Sequence, residues 1–356
     1  LPPFIPDLPT LESFASTRLL ASLHPFQRIV LASHVNPDPD ALGSMLALQT
    51  LIQAEFSNKE VVLTYDGLIA RAENQAMVRV LALPLVPISS VELDHRSALI
   101  LVDTQPHTGR RASEAATPVA VLDHHETPGD LGGVTFLDIR PDVGATSTLV
   151  FGYLTEQEIP IDSRLATALF YAIESEVSGF PREANAADDA ALTWLYPRVD
   201  KNLLAEIRSP RLPQSYFATF EHALSNAFLY GEVIVSYLGA VPQPDIVAEL
   251  ADFFIRFDRV NWALCVGLYE TELRISLRAD QIGAHAGEVL RQAINGLGSA
   301  GGHDKRAGGC IRLQDVRPDA VDAVLRTLRC RFLDHLEVDE HKGYRLLLDS
   351  PRHPIP

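Results

Sequence analysis

Short, uninterrupted apolar runs alternate with longer stretches of helical periodicity through the first half of the chain. That is the pattern of buried parallel strands joined by crossover helices. Residues 28–33 read as a buried strand and 41–55 as an apolar helix. Runs at 61–65, 98–103, 119–122 and 134–137 read as further strands, and 73–83, 146–157 and 163–176 as helices. From 185 to 231 the pattern stays helical but is interrupted by Pro197, Pro210 and Pro213, which marks a connector. A second unit is expected beyond it, with strands at 233–237, 263–268 and 273–277 and helices at 245–257, 286–294 and 318–336. A glycine-rich turn separates the last two helices. The expected fold class is α/β with two domains. An N-terminal, mostly parallel sheet flanked by helices (1–184) leads through a helical connector (185–231) to a smaller C-terminal α/β domain (232–356), with an active site in the cleft.

A length of 356 residues agrees with two cores rather than one. No apolar run reaches the roughly 18 residues needed to span a bilayer, and Leu1-Pro2-Pro3-Phe4 offers no basic segment followed by an apolar core. Cys265, Cys310 and Cys330 are scattered without the spacing of a zinc site or disulfide framework. A cytoplasmic location is therefore expected. The formal charge of −16, with no basic run, argues against a grip on long nucleic acid. It favours a short or small substrate, and a homodimer is compatible with this reading.

Candidate chemistry gathers at three strand ends. The first strand runs into His34-Val-Asn-Pro-Asp38-Pro-Asp40-Ala-Leu-Gly-Ser44, which places one imidazole and two carboxylates where open α/β sheets bind ligands. Alone, this segment is equally a turn in which Asp40 caps the next helix. Asp103 follows another apolar strand, and Asp123-His124-His125 a third. Four carboxylates crowded together would repel one another unless a cation joined them.

As a set these segments resemble the DHH phosphoesterase superfamily. The segment His34 to Ser44 looks like its first motif, Asp103 its second, and Asp123-His124-His125 the motif that names it. Gly144-Ala-Thr-Ser-Thr148 is similar to a segment that commonly follows. The C-terminal half resembles the DHH-associated substrate domain through Ser276-Leu-Arg278 and the glycine-rich stretch Gly298 to Gly309, which includes Gly301, Gly302 and His303. In isolation those glycines need only supply φ > 0, with His303 a structural residue. Ser299 and Ala300 stand where the family has glycines.

The resemblance implies two divalent ions, manganese first, with magnesium or cobalt as alternatives. His34, Asp38 and Asp103 would hold one; Asp40, Asp103 and His124 would hold the other. His125 would face the scissile phosphate, Asp123 would orient the motif, and Arg278, Gly301, Gly302 and His303 would bind substrate. Where the family has Thr-Asp-Thr-Gly-x-Phe, this chain reads Ser175-Glu176-Val177-Ser178-Gly179-Phe180, so Glu176 is the remaining candidate ligand. His107, Arg110 and Arg111 follow Asp103 closely enough to reach the same site. Trp194 and Trp262 read as core.

The implied activity is hydrolysis of phosphoester bonds in short oligonucleotides or small nucleotides, of the nano-RNase or 3′-phosphoadenosine 5′-phosphate phosphatase type. Linear or cyclic dinucleotides are alternative substrates. A nucleotide sensor that kept the fold without efficient turnover is the alternative class.

Overall fold

The computed structural model describes residues 14–106, 116–126, 129, 131–177 and 184–347. The chain divides into two compact units between Pro210 and Arg211.

The first unit runs α1 (Ala15–Leu23), β1 (Arg28–Ala32), α2 (Pro39–Glu55), β2 (Glu60–Tyr65), α3 (Ala72–Val80), β3 (Leu85–Pro87), β4 (Ser97–Val102), β5 (Ala120–Asp123), β6 (Phe136–Ile139), α4 (Thr146–Glu156), α5 (Ser163–Val177), α6 (Ala186–Leu195) and α7 (Lys201–Arg208). Its six strands form a parallel sheet in the order β3-β2-β1-β4-β5-β6. The order reverses between β1 and β4, which makes their carboxyl ends the topological switch point. Ile29 and Leu31 of β1 pack into the core built with α1, α2, α4 and α5. Val30 and Ala32 point the other way, joining Leu99, Leu101 and Val121 under Ile88, Val91, Leu93 and Val134. Burial on both faces explains why these strands read as apolar runs without alternation.

Two local features aim the first motif. Asp38, not Asp40, caps α2: its Oδ1 accepts the Ala41 N–H at 3.0 Å, and Pro39 opens the helix. At Gly43, helices α2 and α5 approach so closely that a Cβ would lie 2.7 Å from the Ala172 Cβ and 3.2 Å from the Ala168 carbonyl.

The second unit runs α8 (Gln214–Ser225), β7 (Ala227–Tyr230), β8 (Val233–Ala240), α9 (Ile246–Phe254), β9 (Trp262–Tyr269), β10 (Glu272–Ala279), α10 (Ala286–Ala293), β11 (Ser299–Gly302), β12 (Arg306–Arg312), α11 (Pro318–His335) and β13 (Tyr344–Arg345). Its sheet order is β11-β12-β10-β9-β8-β7-β13, antiparallel except for β8 against β9. Helices α10 and α11 cover one face, α8 and α9 the other.

The stretch 185–231 divides at Pro210 and is not helical to its end, since Ala227–Tyr230 form β7. Helices α6 and α7 pack against α5 and α3 in the first unit, while α8 packs on β8 in the second. The glycine-rich stretch expected as a turn is a β-hairpin, paired from Ser299↔Cys310 to Gly302↔Ala307. Its glycines permit close backbone contact: a Cβ at Gly298 would lie 2.1 Å from the Cys310 carbonyl oxygen, and one at Gly302 (φ +153°) would lie 2.3 Å from that of Arg306. Trp194 is 39% exposed rather than core, its ring covered by the Arg198 guanidinium 3.7 Å from the centroid.

Candidate metal centre

Because β1, β4 and β5 are adjacent and parallel, the residues that follow them emerge side by side. His34 and Asp38 come from β1, Asp103 from β4, and Asp123, His124 and His125 from β5. Asp103 has φ +58°, a left-handed conformation that Asp adopts more readily than most residues. Its N–H still donates to the Leu122 carbonyl at 2.9 Å, so the chain turns without leaving the sheet edge.

The Asp103 carboxylate is buried between two sets of partners. Its Oδ2 lies 3.5 Å from His34 Nε2, which is itself 3.6 Å from Asp38 Oδ2. Its Oδ1 lies 3.5 Å from His124 Nε2 and 3.8 Å from His125 Nδ1. His124 Nε2 is also 3.9 Å from Asp40 Oδ2. These separations are long for hydrogen bonds, yet each is less than twice a typical ligand–metal bond of about 2.1 Å, so one ion can touch both atoms. Two groups could each hold an ion, His34–Asp38–Asp103 and Asp103–His124–His125, with Asp103 common to both.

Tautomers and charge agree with a cation. His34 Nδ1 lies 3.0 Å from the Val35 carbonyl and His124 Nδ1 3.4 Å from that of Val143. A proton on each Nδ1 leaves each Nε2 lone pair facing the carboxylates. Burial, followed by the charges of Asp103, Asp38 and Glu176, holds the Asp40 carboxyl well above its usual pKa. Burial also works against charge on Asp38, but the neighbouring His34 and the Ala41 N–H outweigh it and set the group below the carboxylate range. For His34, burial favours the neutral ring, but the facing Asp103 and Asp38 carboxylates reverse this, raising its pKa well above the ordinary value. Crowded acids and imidazoles of this kind fit a hard or borderline divalent ion.

The Gly144–Thr148 segment is the clamp on this cluster. It forms the start of α4, where the Thr146 and Ser147 N–H groups donate to Asp40 Oδ2 and Oδ1 at 2.7 and 2.8 Å. Thr146 Oγ1 donates to Asp103 Oδ1 at 3.0 Å. Behind it stands Asp188, a fully buried acid that accepts the Gly144 N–H (2.8 Å), the Thr148 hydroxyl (2.5 Å) and the Asn185 N–H (2.9 Å). Asp188 is not among the candidates that the sequence offers. Its local signal, Asn185-Ala-Ala-Asp188, is that of a helix capping box, which it also forms.

Asp123 Oδ1 accepts the N–H groups of His124 (2.8 Å) and His125 (3.3 Å) and pairs with His125 Nδ1 at 2.8 Å. Burial would raise its pKa, but His125 above all holds it below the usual value. The half-exposed His125 ring is thereby fixed through Nδ1. Glu176 lies in the last turn of α5, near enough for its charge to act on Asp40. Ser178, Gly179 and Phe180, and likewise His107, Arg110 and Arg111, lie outside the described residues.

The remaining candidates belong to the second unit. Arg278 on β10 is buried, with Nε and Nη2 on Asp252 at 2.5 and 3.3 Å and Nη1 on Ser276 Oγ at 2.7 Å. His303 is exposed in the hairpin turn, its N–H donating to the Arg306 carbonyl at 2.8 Å. Gly302 is confined by that turn, whereas a Cβ at Gly301 would meet nothing within 4 Å.

Residues 28–173 match the DHH family N-terminal domain, and 231–329 match the DHHA1 domain. The chain is 29% identical over 320 residues to an uncharacterized protein of Methanocaldococcus jannaschii, covering 88% of this chain and 65% of that one. It is 24% identical over 165 residues to a probable bifunctional oligoribonuclease and PAP phosphatase of Streptococcus mutans, covering 46% and 49%. The chain thus spans 65% and 49% of the length of these relatives. Among solved structures, an exopolyphosphatase-related protein from Bacteroides fragilis superposes with a TM-score of 0.64 at 17% identity, over 89% of this chain and 96% of that one. RecJ from Thermus thermophilus, in complex with Mn2+, gives 0.51 at 14% identity, over 94% and 56%. Among the described residues, no helix is long and apolar enough to cross a membrane.

Proposed function

From a chain that belongs to the DHH superfamily and carries a DHHA1 domain after its catalytic-type sheet, we propose divalent-metal-dependent hydrolysis of phosphoester bonds in short oligonucleotides or small nucleotides. One observation carries the reading. The buried Asp103 carboxylate at the switch point turns one oxygen toward His34 and the other toward His124. That is the arrangement a carboxylate needs to serve two ions.

On this reading His34, Asp38 and Asp103 would hold one ion, and Asp40, Asp103 and His124 would hold the other with Glu176. Manganese is the expected ion, with magnesium or cobalt as substitutes, since imidazole mixed with carboxylate suits this group; the Mn2+ complex of the RecJ neighbour agrees. Such ions supply charge neutralisation on phosphate oxygens and make water acidic enough to attack near neutral pH. The chain's own groups do the rest. Asp123 fixes His125 through Nδ1 and leaves Nε2 to touch a phosphate oxygen. The start of α4 keeps Asp40 and Asp103 from collapsing onto the histidines. Arg278, Gly301, Gly302 and His303 are proposed to bind the substrate. The oligoribonuclease and PAP phosphatase activity ascribed to the Streptococcus mutans relative, together with a net charge of −16, supports a short substrate.

The test is release of mononucleotide from a labelled dinucleotide and of phosphate from 3′-phosphoadenosine 5′-phosphate, with manganese present. Turnover of at least one, abolished by chelation and by Asp103→Asn, is expected. Tight nucleotide binding with no turnover under manganese, magnesium or cobalt would replace this reading with that of a sensor.

A further inference from the structure

We propose that the second unit carries a separate pocket for an aromatic anion of mononucleotide size, an amino-substituted ring bearing a single phosphate. A cavity of about 590 Å³ opens between the β7-β8-β9 face of the sheet and α11. That lies within the roughly 300–1,000 Å³ of small-molecule sites. No residue of the acidic cluster lines it.

The lining selects the ligand. Phe228, Val235 and Tyr237 give the part-exposed floor of two aromatic rings and an aliphatic side chain, while Tyr230 and Val266 lie buried beneath it. A flat ring is the shape such a floor accepts, because offset stacking buries area without distorting either partner. The α11 wall adds the guanidinium groups of Arg326 and Arg329. Although Tyr230 bonds to Arg329, the Arg329 Nε is buried without a hydrogen-bond partner among the described residues. Buried polar groups are nearly always paired, and an arginine fork matches phosphate oxygens two at a time. In a chain of net charge −16, two arginines at one cavity suit an anion. Asp322 and Asn226 at the rim can accept N–H donors, which favours an amino-substituted ring over a plain aromatic acid.

Adenosine monophosphate is the probe, titrated into the full chain in the presence of chelator so that the acidic cluster holds no ion. One molecule per chain is expected, with adenosine and inorganic phosphate each binding at least tenfold more weakly. Arg329→Gln, which removes the fork, and Leu325→Trp, which fills the space, should each weaken binding tenfold or more. Asp103→Asn should leave it within twofold, and this arm separates the pocket from the phosphoesterase reading. Absence of saturable binding, phosphate binding as tight as the nucleotide, or loss of binding in Asp103→Asn alone would each overturn the proposal. Thermal unfolding reports whether the pocket variants fold. If they do not, photolabelling of the parent with 8-azidoadenosine monophosphate decides: label on 226–237 or 322–329 supports the pocket, and label confined elsewhere overturns it.

Discussion

The backbone N–H of Thr146 donates to Asp40 Oδ2 at 2.7 Å across 106 positions of sequence. With the neighbouring bond from Ser147, it places the start of α4 on an acid carried by the first turn of α2. A helix start carries partial positive charge, so α4 keeps this crowded carboxylate in place before any ion arrives.

Asp188 should govern metal affinity without touching metal. It fixes Gly144 and Thr148, and through them the N–H groups that hold Asp40. Asp188→Asn should weaken manganese binding by about tenfold or more, the scale seen for groups one step removed from a metal ligand. Calorimetric titration measures this. Unchanged affinity alongside a lowered melting temperature would make Asp188 a purely structural acid.

Asp103 should matter to both ions and Asp38 to one. Asp103→Ala is expected to reduce manganese stoichiometry toward zero, whereas Asp38→Ala should leave one ion bound. Two ions on Asp103→Ala would remove it as the shared ligand.

Glu176 should support the second ion. Glu176→Gln is expected to cut activity by roughly tenfold or more at limiting manganese and to recover partly with excess metal. Parental activity at every manganese concentration would leave the second ion to Asp40, Asp103 and His124.

Gly43 should be replaceable only at a cost in stability. A Cβ 2.7 Å from that of Ala172 forces α2 and α5 apart. Gly43→Ala should destabilise the first unit by about 1–3 kcal/mol, read by urea unfolding, and weaken metal binding because α2 carries Asp40. A variant as stable as the parent would mean the crossing relaxes freely.

Arg278 and His303 should act on substrate binding. Their replacement by Met and Ala is expected to raise KM on dinucleotides while barely changing hydrolysis of bis-p-nitrophenyl phosphate. Equal losses on both substrates would place them in the chemical step.

The sequence by itself determined the strands β1, β2, β4, β5, β6, β8, β9 and β10, the positions of most helices and the acids and imidazoles proposed for the site. Apolar runs such as 28–33 and 98–103 are long enough to identify a strand buried on both faces, and acids and imidazoles directly after them sit at strand ends whatever the loop geometry. Local patterning could not show the short strands β3, β7 and β13, because so few residues carry no period. Nor could it show that the glycine-rich stretch is a hairpin, since the pairing partners are its own glycines with Ala307 and Cys310. The tertiary structure alone decided that Asp40 is held by α4 instead of capping α2, that Asp188 stands behind that clamp, and that Arg278 is held by Asp252. Each is a hydrogen bond between residues 26 to 107 positions apart. Pairings over such separations are set by which strands neighbour one another and which helices pack together, and no periodicity along the chain encodes them.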